Sequence, residues 1–174
     1  SAANIDENLN GTGEYGCLAE LAGACNLQRN GIGPAAPLNP PILPATFQAI
    51  DANGFATKSG FLFALYLPDN ATPPAGLPDE PAAAGANAGV DPANCENLWC
   101  CYAWPIAAGN TGNRAFFVNQ RGEILQTKMD LAPYSGAGAA PAFDAAFTVA
   151  GDMSSPAALG VAGVDTNLWT PVGG

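Results

Sequence analysis

The chain has no histidine, and only five of its 174 residues are lysine or arginine. Without histidine there is no Ser-His-Asp and no Cys-His arrangement. Zinc would have only cysteine and carboxylate ligands to choose from. The shortage of cations leaves a net charge of −10. A chain this acidic repels nucleic acid and anionic lipid headgroups, so neither is expected as a partner. Long apolar runs are missing as well. The longest candidate, residues 61–67, stops at Pro68, far short of the roughly 18–20 residues that cross a bilayer. The opening SAANIDEN carries no basic n-region and no apolar h-region, so the numbered chain reads as a processed form or a piece of something longer. G-x-S-x-G, P-loop, H-E-x-x-H, G-x-G-x-x-G and C-x-x-C patterns are all absent. Gly11-Thr12-Gly13 is only the opening of a dinucleotide fingerprint and does not follow a strand.

Glycine (21) and proline (16) are plentiful, and charged residues make up only 11% of the chain. That mix suits a loop-rich extracellular fold with β-structure, in one domain spanning 1–174. Four strands are expected. Leu98 to Trp104 is aromatic and apolar. Arg114 to Asn119 puts Ala115, Phe117 and Asn119 on one face and Phe116 and Val118 on the other. Gln120-Arg121-Gly122 turns the chain, and Glu123 to Thr127 returns. Phe61 to Leu67 is the fourth strand. An antiparallel sheet with one face to be covered follows. Arg114 and Glu123 face each other across the hairpin if its turn is symmetric, an expected ion pair. Tyr15 to Leu21 reads as a short helix, with Leu18 and Leu21 on one face and Gly23 as its stop. Residues 26–47, 68–94 and 130–174 read as Pro/Gly-rich loops, the first lying against the body and Trp169 docking on it.

Five cysteines stand at 17, 25, 95, 100 and 101. With no histidine and no C-x-x-C, disulfides in a secreted protein are the better reading. Cys17 with Cys25, and Cys95 with Cys100 or Cys101, are local candidates; one cysteine is left over. Asp6, Asn8 and Asn10 place side-chain oxygens at alternate positions ahead of Gly11. That is the first half of a calcium loop, which the Thr12 carbonyl and Glu14 extend. Its twelfth position is Cys17 rather than a bidentate Glu, with Glu20 a substitute only if a turn folds it back. The competing reading is an Asx-rich turn bonded to its own backbone. The acidic pairs Asp6/Glu7 and Asp79/Glu80 are the only two-carboxylate candidates for glycosidase chemistry, and no aromatic cleft pattern accompanies them. Trp99, Tyr102 and Trp104 form either a sugar-stacking platform or part of the core.

Several segments together carry a family resemblance. They are Asn10-Gly11-Thr12-Gly13-Glu14-Tyr15-Gly16 with Leu18 to Leu21, Ser59-Gly60-Phe61-Leu62-Phe63, Tyr102-Ala103-Trp104-Pro105, and the run from Gly109-Asn110-Thr111-Gly112 through Arg114, Phe116, Phe117, Asn119, Gln120 and Gly122 to Ile124. Over residues 6–130 the chain resembles the globular part of type IV pilin-like proteins, more narrowly the pseudopilin-type proteins of planctomycetes and related bacteria. The resemblance implies an α+β pilin-like head with a four-stranded antiparallel β-sheet, little helix and long Pro/Gly-rich loops. It implies a non-enzymatic subunit of an extracellular filament or a type II secretion pseudopilus, at the bacterial surface or in the periplasm. Other pilin-like subunits would be its partners. The inner membrane would be met only through an apolar N-terminal helix that this chain lacks. Calcium at Asp6, Asn8, Asn10, Thr12 and Glu14 is in keeping with that family. The alternative is a secreted adhesin or carbohydrate-binding module using Trp99, Tyr102 or Trp104.

Overall fold

The computed structural model describes residues 5–80 and 85–173; residues 81–84, within the expected 68–94 loop, lie outside that description. One antiparallel sheet of seven strands forms the centre. Strands β1 (Ala56–Lys58) and β2 (Phe61–Pro68) are joined through Ser59 and Gly60. Both turn residues have positive φ, 52° and 82°. A two-residue turn with that signature matches the twist of the strands it joins. β2 is eight residues long, and its outer edge is shared. β1 pairs with Phe61 to Phe63, while β3 (Gly76–Pro78) pairs with Tyr66 to Pro68. The inner edge belongs to β4 (Cys100–Pro105). β5 (Ala115–Asn119), β6 (Leu125–Thr127) and β7 (Thr170–Pro171) complete the sheet in that order. Among the described residues helix is limited to two single turns, α1 (Leu18–Leu21) and α2 (Pro92–Cys95), and a 3-10 turn at Ala45–Phe47.

This overturns the expectation of an α+β pilin-like head with a four-stranded sheet. The protein is predominantly sheet, and the sheet has seven strands. Three of them, β1, β3 and β7, are two or three residues long and come from segments that read as turns, loop or tail. Strands that short have no periodicity to detect. They exist because β2 and β6 offer unpaired backbone edges that nearby loops satisfy. Their prolines, Pro78 and Pro171, sit on outer strands, where a missing N–H costs least.

Both faces of the sheet are apolar, and the two are covered differently. On one face Leu62, Ala64, Tyr66, Tyr102, Trp104, Ala115, Phe117 and Leu125 are buried under residues 129–169. The register sets Leu62 beside Trp104, and Tyr102 beside Ala64 and Phe117. The covering segment has almost no regular structure, so its backbone groups need other partners. The aromatic tips supply them. Tyr102 Oη donates to the Phe143 carbonyl at 2.9 Å and accepts from the Ala146 amide at 2.9 Å. Tyr66 Oη donates to the Pro141 carbonyl, and Trp104 Nε1 to the Gly136 carbonyl. Trp169 docks as a fully buried ring against Tyr102 and Phe117. Asn167 holds the Leu131 and Ala132 amides and the Ala132 carbonyl. A large amphipathic side chain thus fills core volume and pins a loop at once.

Tyr102→Phe tests that link. It keeps the ring but orphans the buried Ala146 amide and leaves the Phe143 carbonyl only the weak Cys100 thiol, so unfolding free energy should fall by about 2 kcal/mol. Urea melts of the two proteins measure it. A difference within error would mean the loop is held by shape alone.

The opposite face carries the second cluster. Leu65, Leu67 and Ala56 pack there with Leu18, Ala19, Phe47 and Ile50. Residues from Tyr15 to Ile50 therefore cover the β1–β2 side of this face. They do not reach across β4, β5 and β6.

Candidate functional site

The uncovered half of that face is the first feature to account for. Strand alternation fixes its composition. Phe63, Ala103 and Phe116 stand in one row across β2, β4 and β5, and Leu65, Cys101 and Val118 stand in the next. Phe61 joins them at the start of β2, its ring 6.1 Å from that of Phe116. Phe63 leans on Phe47 at 5.1 Å, tying the open surface to the covered cluster. Ile124 and Val172 stand at the rim, each about half exposed. Phe61, Phe63, Cys101, Phe116, Val118 and Ile124 are among the residues that line an open hollow of about 460 Å³ here, while Leu65 is buried beside it. None of its lining residues is charged. On a chain carrying −10, a contiguous uncharged aromatic surface is where a binding partner is expected.

A second feature lies under the N-terminal loop and was not anticipated. Glu14, Glu20, Arg29 and Asp79 are all buried. Arg29 meets Glu20 at two points, Nε to Oε1 at 2.9 Å and Nη2 to Oε2 at 2.6 Å, and reaches Glu14 Oε2 at 3.4 Å. Its Nη2 also donates to the Tyr15 carbonyl. Burial opposes the guanidinium charge, but the fork on Glu20 prevails and holds Arg29 more firmly protonated than usual. Glu20 Oε2 accepts as well from the Cys17 amide at 2.9 Å, which ties the first turn of α1 to the ion pair. Asp79 reaches α1 from the far end of β3. Its Oδ2 accepts from the Leu18 amide at 2.8 Å. Desolvation dominates at Asp79, and its carboxyl is pushed up to about 7. The sequence held one hint of this cluster. Glu20 lies between Leu18 and Leu21 in a helix with an apolar face, where a carboxylate requires a counter-ion.

The proposed cation ligands fall into place differently. Asp6 accepts from the Asn10 and Gly11 amides, Asn8 Oδ1 from the Asn10 amide, and Asn10 Oδ1 from the Thr12 amide. The Asn8 and Asn10 side-chain amides donate to Glu96. Glu14 turns inward, accepting from the Glu7 amide at 2.7 Å while it neutralises Arg29. The loop is thus knit by Asx turns, and Glu14 does not converge with Asp6. As folded, the side-chain oxygens of Asp6, Asn8, Asn10 and Glu14 are engaged by backbone amides and by Arg29. Among the described residues no group of three or more His, Cys, Asp or Glu side chains is placed to hold a metal.

The other candidates are also located. Tyr102 and Trp104 are fully buried and so unavailable for sugar stacking; Trp99 is half-buried against Tyr15. Asp79, one of the two-carboxylate candidates, caps α1. The expected Arg114–Glu123 pair is replaced by Arg114 donating to Gln126 Oε1 at 2.9 Å. The register Phe116↔Gln126 explains the change, because it makes Gln126 the diagonal same-face neighbour of Arg114 and leaves Glu123 near the turn. Among the described residues no helix is long and apolar enough to cross a membrane. No protein-family model matches the chain, and neither a curated protein nor a solved structure does.

Proposed function

We propose that the protein is a non-enzymatic structural subunit of an extracellular filament or secretion pseudopilus, at the bacterial surface or in the periplasm, whose partners are other pilin-like subunits. The observation that carries this reading is the open apolar half-face of the sheet. Its aromatic rows offer contact area without a hydrogen-bonding pattern, which suits a packed apolar partner better than a polar small molecule. The sequence resemblance supplies such a partner in the apolar helices of a filament core. The remainder of the molecule suits a passive role. Its buried acids are engaged by Arg29 and by backbone amides, and its strand aromatics are engaged in packing.

The test is to place charges on the open face of the full gene product in the cell that makes it. Phe116→Glu combined with Val118→Glu should leave the melting temperature of the purified chain close to that of the parent, since both side chains point outward. The variant should be depleted from the sheared filament fraction by more than about tenfold, because a buried unpaired carboxylate costs several kcal/mol. Equal recovery of parent and variant would reject the face as the contact. Absence of the parent chain from any filament would reject the function.

A further inference from the structure

α1 is a single turn, and the way it ends decides where the next cysteine goes. Gly23 has φ +68°. The Gly23 amide donates to the Glu20 carbonyl, and the Ala24 amide to the Ala19 carbonyl at 2.8 Å. That pair of bonds is a Schellman reversal with glycine at its left-handed position. It folds the chain back along the helix it has just left. Cys25, the next residue, returns to Cys17, the N-cap of the same helix. Both side chains belong to one packed cluster, Cys17 buried within it and Cys25 packed against it, and each thiol shifts the acidity of the other, up at Cys17 and down at Cys25. Cys17 is fully buried, whereas Cys25 is only half-buried.

We propose that Cys17 and Cys25 are an oxidisable pair that closes a disulfide across α1, while Cys95, Cys100 and Cys101 remain thiols. The other three are held as thiols by their surroundings: burial pushes Cys95 and Cys101 up to about 12 and Cys100 well above its ordinary value, Cys101 doing so although it lines the open hollow. Cys100 and Cys101 are strand neighbours on opposite faces of β4; Cys100 Sγ lies 3.6 Å from the Phe143 carbonyl. Cys95 is fully buried at the end of α2. The oxidant is a low-molecular-weight disulfide such as oxidised glutathione, or a disulfide exchange protein. The Cys25 thiolate attacks one sulfur of that disulfide, and one thiol leaves with the Cys25 proton. The Cys17 sulfur then displaces the second thiol from the mixed disulfide, and its proton leaves with it. Two protein thiols are oxidised to one disulfide, and one small disulfide is reduced to two thiols. The half-exposed cysteine is thus the point of attack and the buried one resolves it. The influence of each thiol on the other agrees with this order, since Cys17 is pushed up and Cys25 down.

The spacing of basic residues makes the test direct. Cleavage after lysine and arginine gives one peptide, 1–29, with both Cys17 and Cys25, and another, 59–114, with the other three cysteines. The whole protein is treated with oxidised glutathione, unfolded, alkylated without reduction, digested and weighed. Peptide 1–29 should be two hydrogens lighter and unalkylated, and peptide 59–114 should carry three alkyl groups. The oxidised protein should melt higher than the reduced one by about 5 °C. Cys17→Ser should trap glutathione on Cys25, since the resolving sulfur is gone. A doubly alkylated 1–29 peptide after oxidation would overturn the proposal. So would 1–29 linked to 59–114, or a Cys17→Ser protein with no adduct.

Discussion

Arg29→Met should cost the protein about 3–5 kcal/mol of stability at neutral pH, the largest loss expected from any single surface-to-core contact in this chain. The reason is arithmetic of charge in a dry place. Glu14 and Glu20 are both buried, and Arg29 is the cation that bonds to each. Methionine matches much of the arginine stem in volume and can pack, so the loss does not come from a cavity. It comes from two carboxylates left without their counter-ion. The Tyr15 carbonyl loses its donor at the same time. Two controls separate this from general damage. Adding Glu14→Gln and Glu20→Gln to Arg29→Met should recover most of the loss, since neutral amides need no counter-charge. Mild acid should also narrow the gap between Arg29→Met and the parent, because carboxylates abandoned in an apolar site take up protons. Urea melts at two pH values read both effects. A loss below about 1 kcal/mol would mean water already reaches the cluster and screens it.

How much of this was legible in the sequence depended on whether a residue's neighbours were close in the chain. β2, β4, β5 and β6 overlap the expected strands because aromatic and β-branched residues concentrate there. Arg114 to Asn119 was even divided into its two faces. Both halves of that division are apolar, and this signals a strand wanting cover on both sides. Only one cover was foreseen, so the open Phe63–Ala103–Phe116 row went unread. The three short outer strands left no trace, since two or three residues show no periodicity and each is made by the edge it pairs with rather than by its own residues. The same holds for Tyr66, Tyr102 and Trp104. Their rings were legible as core, but which loop carbonyl each tip would meet was not, since those loops lie 32 to 75 residues away. At the N-terminus the Asx pattern from Asp6 to Asn10 was legible as either an ion loop or a self-bonded turn. What was not legible was Arg29, which draws Glu14 inward from a place in the chain where nothing marks it as a core cation.

The two buried features share one consequence for the covered side of the sheet. α1 has only four residues, too few to hold together alone. It is fixed by Glu20 from within, by Arg29 from the following loop, and by Asp79 from β3. The N-terminal cover is therefore fastened largely by Arg29 and buried acids, whereas the cover on the opposite face is fastened mainly by neutral tips, with Asp165 accepting from Tyr134, Asn167 and Trp169. A rise of pH through neutrality should loosen the first.

Asp79 sets the direction of that change. Its folded-state pKa of about 7 lies above the ordinary value of 3.8. A raised carboxyl pKa means the native state binds the proton more tightly than the unfolded chain does. The stabilisation is complete below the unfolded value and is lost as pH rises through about 7. Burial is the main cause, and the nearby Glu20 carboxylate adds to it; the Leu18 and Ala19 amides and Arg29 oppose it without prevailing. Glu14 is raised too, again chiefly by burial, so it acts in the same direction. The parent protein should then be more resistant to urea near pH 5 than near pH 8, by about 2.5 kcal/mol, since at pH 5 the unfolded carboxyl is already mostly ionised and only the remaining two pH units up to about 7 are left to lose. Asp79→Asn keeps an oxygen for the Leu18 amide and removes the titration. Its stability should change far less between those two pH values, with the remaining slope belonging to Glu14. At the alkaline end the variant should be the more stable of the two, an inversion that a merely structural role for the side chain would not produce. Parallel pH profiles for Asp79→Asn and the parent would show that the carboxyl stays ionised in the folded protein and that its two helix amides outweigh its burial.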